Sequence, residues 1–395
     1  MGVVLRHAGP SRRGSSLTAR TVLTRKDPMT DLSWHLPADT EPQERMWLSF
    51  PRATALMGST PWEISAARRA WARIAHEVAD FEPVTLLVDP ADRTMVHTYV
   101  DPIVPVIPQR FDSPFIRLTG PVFTTGPEAK ADANGRRPLG MMDFVFNGFG
   151  RRPGLDYLSD SVVTGTMAEM TGATRQLSLM TLEGGAFVTD GEGTVIASEA
   201  ALLDPARNPG WSRRQVELEF HRYTDVRKVI WLPGGLTRDA GPRGTGGMVD
   251  QLVTFASPTV VLLHWQDDPS HPDHAVSQTA LELLQGETDA QGRPLNIATV
   301  PAPATLTDRH GPVGWSYVNV LPVNRAVVVP AFEDEHDDGA HQVLEAAFWG
   351  RKVIPVPARQ VYERGVGIRH VGLTQPARPA RPPASASASA SASDA

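Results

Sequence analysis

The feature that most constrains this chain is a recurring order of local signals: paired strands, a helix, then another strand. Thr60-Pro61-Trp62-Glu63 forms a capping box with proline at the first helical position. The helix it opens carries Ile64, Trp71, Ile74, Ala75 and Val78 at helical spacing, and these residues together with Trp62 are read as core. Glu82-Pro83 ends it, and residues 84–88 (VTLLV) then read as a buried strand, being short, apolar and β-branched. The order repeats downstream. Residues 186–198 read as a hairpin around Asp190-Gly191, Ser212 to Gln215 caps a helix reaching Tyr223, and residues 228–232 follow as a strand. Residues 252–255 and 259–265 pair around Ser257-Pro258, residues 275–284 are helical, and residues 296–300 form a strand. Residues 318–321 pair with 326–329 around Asn324, residues 338–349 are helical, and residues 352–356 read as the closing strand. Such units predict an α/β repeat, although their order alone fits a propeller and an open sheet equally well.

Between residues 34 and 375 no shift in composition marks a linker, so one domain is expected. The 395 residues, 41% hydrophobic and 21% charged, are enough to bury a substantial core. A net charge of −6 gives no broad basic surface for nucleic acid. No apolar run approaches the ~20 residues of a membrane helix. Residues 1–28 are rich in Arg and Ser and lack a secretory apolar stretch; residues 1–33 are expected to be a disordered leader, with Met29 the expected translation start and residues 1–28 then an upstream extension. Residues 376–395, Pro-Ala-Arg and then alternating Ala-Ser, have nothing to bury and are expected to be a disordered tail. A cytoplasmic location follows as the expectation. The chain has no cysteine at all, which excludes disulfides, thiolate metal sites and thiol catalysis together.

Four segments carry a resemblance: LPADTEPQERMWLSFP at residues 36–51, LEGGAFVTDGEGTVIASEAALLDPARNP at 182–209, VIWLPGG at 229–235 and GVGIRHVGLTQ at 365–375. They resemble the agmatine deiminases and the related Porphyromonas-type peptidylarginine deiminases. The resemblance implies a pentein, a five-bladed β/α propeller with its site at the centre. It also implies a guanidine hydrolase, converting agmatine to N-carbamoylputrescine in putrescine synthesis or peptidyl-arginine to citrulline, with no cofactor. That chemistry needs a thiolate to attack the guanidinium carbon, a His–carboxylate group to handle protons, and carboxylates to hold the planar cation.

In the family these parts lie in an Arg-Asp-x-Gly-Pro loop, a loop ending Gly-His-Val-Asp, and a terminal Asn-Ile-His-Cys. Here the first reads Arg117-Leu118-Thr119-Gly120-Pro121, so Leu118 stands at the substrate carboxylate's position. The second reads Gly244-Thr245-Gly246-Gly247-Met248-Val249-Asp250, with Met248 in place of histidine, Gly244 in place of an acidic residue, and Asp250 kept. The third reads Ile368-Arg369-His370-Val371, with valine at the nucleophile's position. Residues 143–150 (DFVFNGFG) match a family segment through Asn147, and Glu183 is intact. By family match the pocket is lined by Glu183, Asp250, His370, Asn147, Gly244 and Arg117. Losing one member of such a catalytic unit costs about 10⁴–10⁶ in rate. The concerted change at Leu118, Met248 and Val371 therefore predicts a pseudo-deiminase with a binding or regulatory role.

The alternative is an enzyme of altered chemistry on the same scaffold, in a specialised biosynthetic pathway. Its polar remainder would be Asp250, Glu183, His370 and Asn147, with Thr374, Ser316 or His370 as the replacement nucleophile. The expected partners are a small guanidine- or amine-containing ligand and either a second copy or an active homologue, with no nucleic acid and no membrane. Two acidic and histidine-rich runs, residues 267–274 (DDPSHPDH) and 333–338 (EDEHDD) with His341, carry potential metal ligands. Both lie between a strand and a helix and match no fixed ligand spacing, so turns and caps are the expected use and no metal is assigned. Arg136-Arg137 and Arg151-Arg152 read as solvated loop pairs.

Overall fold

The computed structural model describes residues 34–241 and 244–378. The leader, Met29 and most of the tail lie outside these residues. The first sheet holds β1 (Gln43–Ser49), β2 (Val84–Val88) and β3 (Val106–Pro108). The second holds β4 (Val122–Thr125), β5 (Leu139–Val145) and β6 (Thr174–Thr181), and the third β7 (Phe187–Thr189), β8 (Thr194–Ser198) and β9 (Lys228–Leu232). The fourth holds β10 (Val253–Ser257), β11 (Val260–Trp265) and β12 (Asn296–Pro301). A short ribbon, β13 (Thr307–Asp308) with β14 (Gly311–Pro312), precedes the fifth sheet of β15 (Leu321–Val323), β16 (Ala326–Ala331) and β17 (Lys352–Pro357). Finally β18 (Gly372–Pro376) joins the first sheet.

One design recurs in all five sheets. An antiparallel pair is followed by a helical crossover and a third strand parallel to the second. A parallel neighbour requires such a crossover, whereas a hairpin turn suffices for an antiparallel one. The crossovers are the helices Pro61–Ala79, Val163–Thr171, Arg213–Tyr223, Asp273–Leu284 and Asp337–Ala347. The first sheet obtains its antiparallel member from the far end of the chain, where β18 pairs with β1 through Met46–Thr374, Trp47–Leu373 and Leu48–Gly372. The closing strand is thus Gly372–Pro376 and not Lys352–Pro357, and Pro376 belongs to the domain rather than to the tail.

Helix Pro61–Ala79 begins at the expected capping box and buries Trp71, Ile74, Ala75 and Val78, while Ile64 is half-buried. Trp62, expected in the core, is 69% exposed. Nine residues separate it from Trp71, which at 3.6 residues per turn puts the two rings on roughly opposite faces. Residues 318–320, expected in a strand, form a loop instead, because Asn319 there reaches out to tie neighbouring segments together. Among the described residues no helix is long and apolar enough to cross a membrane.

Candidate functional site

Each sheet has a first strand, and the segments leading into these five strands converge. They are the helical turn Ile116–Thr119 before β4, Glu183-Gly184-Gly185 before β7, the turn Val249–Gln251 before β10, residues 315–320 before β15, and the turn Ile368–Val371 before β18. Glycine lets two of them touch. A Cβ on Gly184 would lie 2.3 Å from the Arg117 carbonyl oxygen, which no side chain tolerates. A Cβ on Gly185 would lie 3.0 Å from both Leu118 Cδ2 and His370 Nε2 and 3.2 Å from Asp250 Oδ1. Leu118, His370 and Asp250 therefore meet at one point, over a bare backbone.

Asp250 is the hub. Its carboxylate accepts hydrogen bonds from Arg369 Nη1 at 2.7 Å and from His370 Nε2 at 2.8 Å. His370 Nδ1 accepts the Gly367 N–H at 3.2 Å, so the proton of the neutral ring sits on Nε2. Asn319 crosslinks the group, donating from Nδ2 to the Asp250 carbonyl at 3.1 Å and accepting the Arg369 N–H at 2.9 Å. Burial alone would raise the Asp250 carboxyl, but His370 and Arg369, which both donate to it, more than offset burial and hold it below its ordinary value.

Arg369 extends the network outward. Its Nε donates to Asp39 at 2.7 Å, and Asp39 also accepts a forked pair from Arg117 Nη2 at 2.7 and 2.8 Å. Burial would raise the Asp39 carboxyl, but the two guanidinium groups hold it well below the usual range. Arg369 is raised, since Asp39 and Asp250 outweigh a burial effect acting in the opposite direction. Glu183, fully buried, is taken by a second internal arginine: Arg207 Nε donates to it at 2.9 and 3.1 Å. Arg207 also binds Asp204 and the Thr245 carbonyl.

The three apolar residues expected at the family's catalytic positions close the centre. Leu118, Met248 and Val371 are fully buried and belong to one continuous hydrophobic core. Beside Asp39 lies a cavity of about 30 Å³, lined by Leu36, Asp39, Arg117, Gly184, Phe187 and Thr374. That is room for a water or two, far below the several hundred Å³ of a ligand pocket.

This constellation sits on a chain that matches the Porphyromonas-type peptidyl-arginine deiminase family over residues 35–376. A Streptomyces coelicolor protein with a provisional agmatine deiminase assignment is 38% identical over 346 residues, covering 87% of this chain and 99% of the relative. The agmatine deiminase of Stutzerimonas stutzeri is 32% identical over 386 residues, covering 91% of this chain and 99% of the relative. Among solved structures, the agmatine deiminase of Enterococcus faecalis superposes with a TM-score of 0.79 at 26% identity, covering 91% and 100% of the two chains. The chain belongs to the agmatine deiminase and peptidylarginine deiminase family. Its fold is the family's pentein fold.

Of the six residues expected to line the family pocket, Asp250 and His370 meet directly, and Arg117 joins them through Asp39 and Arg369. Glu183 stands behind Gly184-Gly185, engaged by Arg207. Asn147 and Gly244 serve the surrounding scaffold. Asn147 caps a turn, accepting the Gly150 N–H at 2.9 Å and donating to the Ala206 carbonyl at 3.0 Å. The Gly244 carbonyl accepts from Arg152. Arg152 is accordingly half-buried rather than solvated, because the glycine-rich loop offers it carbonyls. That loop wraps around Asp239, whose carboxylate accepts the N–H groups of Thr245, Gly247 and Met248 at 2.6, 2.7 and 2.5 Å.

Asp39, Arg369, Asn319, Arg207 and Asp239 were not singled out by the sequence. Three of them stand within quoted segments, so charged residues inside motifs were the available signal. Of the candidate replacement hydroxyls, Ser316 Oγ accepts the Val318 N–H, and Thr374 Oγ1 faces Arg117 and Asp39 at the outer end of the network. Both acidic runs form turns, Asp268 accepting the Ser270 N–H and Asp334 the His336 N–H, but neither supplies a side-chain cap to the helix after it, and their other carboxylates tie neighbouring segments together. Asp273 accepts the Thr237 N–H, Asp334 those of Ala304 and Thr305, and Asp337 that of Phe332. Among the described residues no three His, Asp or Glu side chains are grouped to hold a metal ion.

Proposed function

We propose that this chain is a non-hydrolytic member of the agmatine deiminase family, acting through assembly or regulation rather than guanidine hydrolysis. The observation that carries the reading is the sealed centre. The positions matching nucleophile, base and substrate carboxylate are Val371, Met248 and Leu118, all within one packed core. Valine has no lone pair with which to attack carbon, and leucine and methionine have no oxygen or nitrogen to bind a guanidinium. Both ring nitrogens of His370 are engaged, so the imidazole has no free site to take a proton from a neighbouring hydroxyl.

The filled centre favours a macromolecular partner over a small guanidine or amine ligand. An active agmatine deiminase is that partner by symmetry of fold, in the cytoplasm and in the setting of putrescine synthesis. Purified protein in large excess is incubated with agmatine and with an arginine peptide, and ureido product is measured against a heat-killed control. Background signal is expected, and turnover at ordinary enzymatic rates would overturn the reading. Mixing with an active homologue is expected to give a mixed oligomer by light scattering.

A second reading, altered chemistry on the same scaffold, is favoured by the intact His370–Asp250 pair. It requires that Asp250→Ala and His370→Ala each remove whatever cellular phenotype the gene supports.

A further inference from the structure

Arg369 is held by acceptors that owe nothing to its own segment. Asp39, Asp250 and the Gly184 carbonyl bind its Nε and Nη1 at 2.7, 2.7 and 3.2 Å, from positions at least 119 residues away in sequence. Each carboxylate has another anchor. Arg117 fixes Asp39, while His370 holds the Asp250 side chain and Asn319 its main chain. The Arg369 main chain is fixed separately, since its N–H donates to Asn319. Taking away the Arg369 side chain therefore leaves two carboxylates in place with their guanidinium gone. Paired carboxylates on two edges of a planar, five-donor cation make a recognition site for that cation, not for a point-charge ammonium.

We infer that Asp39 and Asp250 form a guanidinium-binding site which the chain fills with its own Arg369, and that removing this side chain opens the site to small alkylguanidinium ions. The inference rests on the non-hydrolytic reading of the centre. Truncation to alanine removes a fragment equivalent to ethylguanidinium, so that ion is the matching probe. The small cavity lined by Asp39, Arg117 and Gly184 shares Asp39 and Gly184 with the contacts of Arg369.

Wild type, Arg369→Ala and the double variant Arg369→Ala with Asp250→Asn are melted with millimolar ethylguanidinium, and with ethylammonium as a control of equal charge. The Arg369→Ala melting temperature is expected to rise by several degrees with ethylguanidinium only. Wild type and the double variant are expected not to respond. Equal responses to both ions, or none in Arg369→Ala, would overturn the inference. Should Arg369→Ala fail to accumulate folded, its refolding yield is measured with each ion. Recovery specific to ethylguanidinium supports the site, and no recovery overturns it. Hydrolysis of agmatine by the wild type would defeat the non-hydrolytic reading without changing these melting results, so the two failures are separable.

Discussion

Two buried arginine–carboxylate pairs flank Gly184-Gly185, and they behave in opposite ways. Asp250 and Glu183 are both fully buried, and each faces one internal guanidinium. Yet Asp250 is held below its ordinary pKa, whereas burial raises Glu183 despite the charge and hydrogen bonds of Arg207. The difference lies in the donors. Asp250 receives Arg369 and the His370 Nε2–H together, while Glu183 relies on Arg207, which also serves Asp204 and the Thr245 carbonyl. Desolvation is common to both, so what separates this pair is the second side-chain donor, His370, which Asp250 has and Glu183 lacks.

The largest expected effect is on Arg369. Arg369→Ala leaves Asp250 and Asp39 short of a partner and should destabilise by about 3–5 kcal/mol, as for a broken buried pair. Arg207→Ala should cost less, because Glu183 can take up a proton and neutralise itself. Chemical denaturation at neutral pH compares them, and an equal or reversed order would break the contrast.

Next comes pH. Asp160 and Glu82 resemble Glu183: burial, the largest cause, pushes both up to about 7. Asp160 Oδ2 and Glu82 Oε1 are buried without a hydrogen-bond partner among the described residues. Their folded pKa values exceed the unfolded ones of 3.8 and 4.5, so the folded chain binds protons that the unfolded chain releases. For His35, burial acts downward, but bonds to Asp225 and Glu41 outweigh it and raise the ring to about 9. Its contribution is complete below 6.5 and fades as pH rises through 9. Asp39 and Asp250 are lowered, and their contribution disappears only as pH falls through their folded values. Stability should therefore peak near the ordinary carboxylate values and decline from there as pH rises through 7. Asp160→Asn should flatten the decline above that peak, and a pH profile identical to wild type would count against the assignment.

A smaller difference separates the two carboxylates themselves. Asp250→Asn should destabilise by about 2–4 kcal/mol at neutral pH and Glu183→Gln by less, because only Asp250 gains from being charged. The gap should close as pH falls through the lowered Asp250 value. Smallest of all, Asp204→Ala removes a part-exposed i,i+3 partner of Arg207 and should cost no more than about 0.5 kcal/mol. A larger loss would mean that Arg207 is held as tightly as Arg369.

Much of the scaffold was legible because its signals are local. The capping box at Thr60, the run of residues 84–88 and the hairpin around Asp190 each declare themselves within a few residues. The closing strand was not legible, because Gly372–Pro376 has no alternating pattern and finds its partner near the other end of the chain. At the site, Leu118, Met248 and Val371 stand out in the sequence as apolar residues within the loops that carry the resemblance, and the structure adds that all three belong to one packed core. Arg369 was hidden for the same reason as β18. It stands beside His370 and two residues before Val371, but its meaning lies in Asp39 and Asp250, 330 and 119 residues distant. Trp62 is aromatic but lies half a turn out of phase with the buried stripe of its helix, and phase decides its exposure.

The measurement that bears most directly on an occupied centre is calorimetric titration of agmatine into the wild-type protein. With Arg369 already bound between Asp39 and Asp250, only heat of dilution is expected. A saturable one-to-one isotherm that disappears in Asp250→Asn would contradict it, because the same carboxylate would then be holding an external guanidinium.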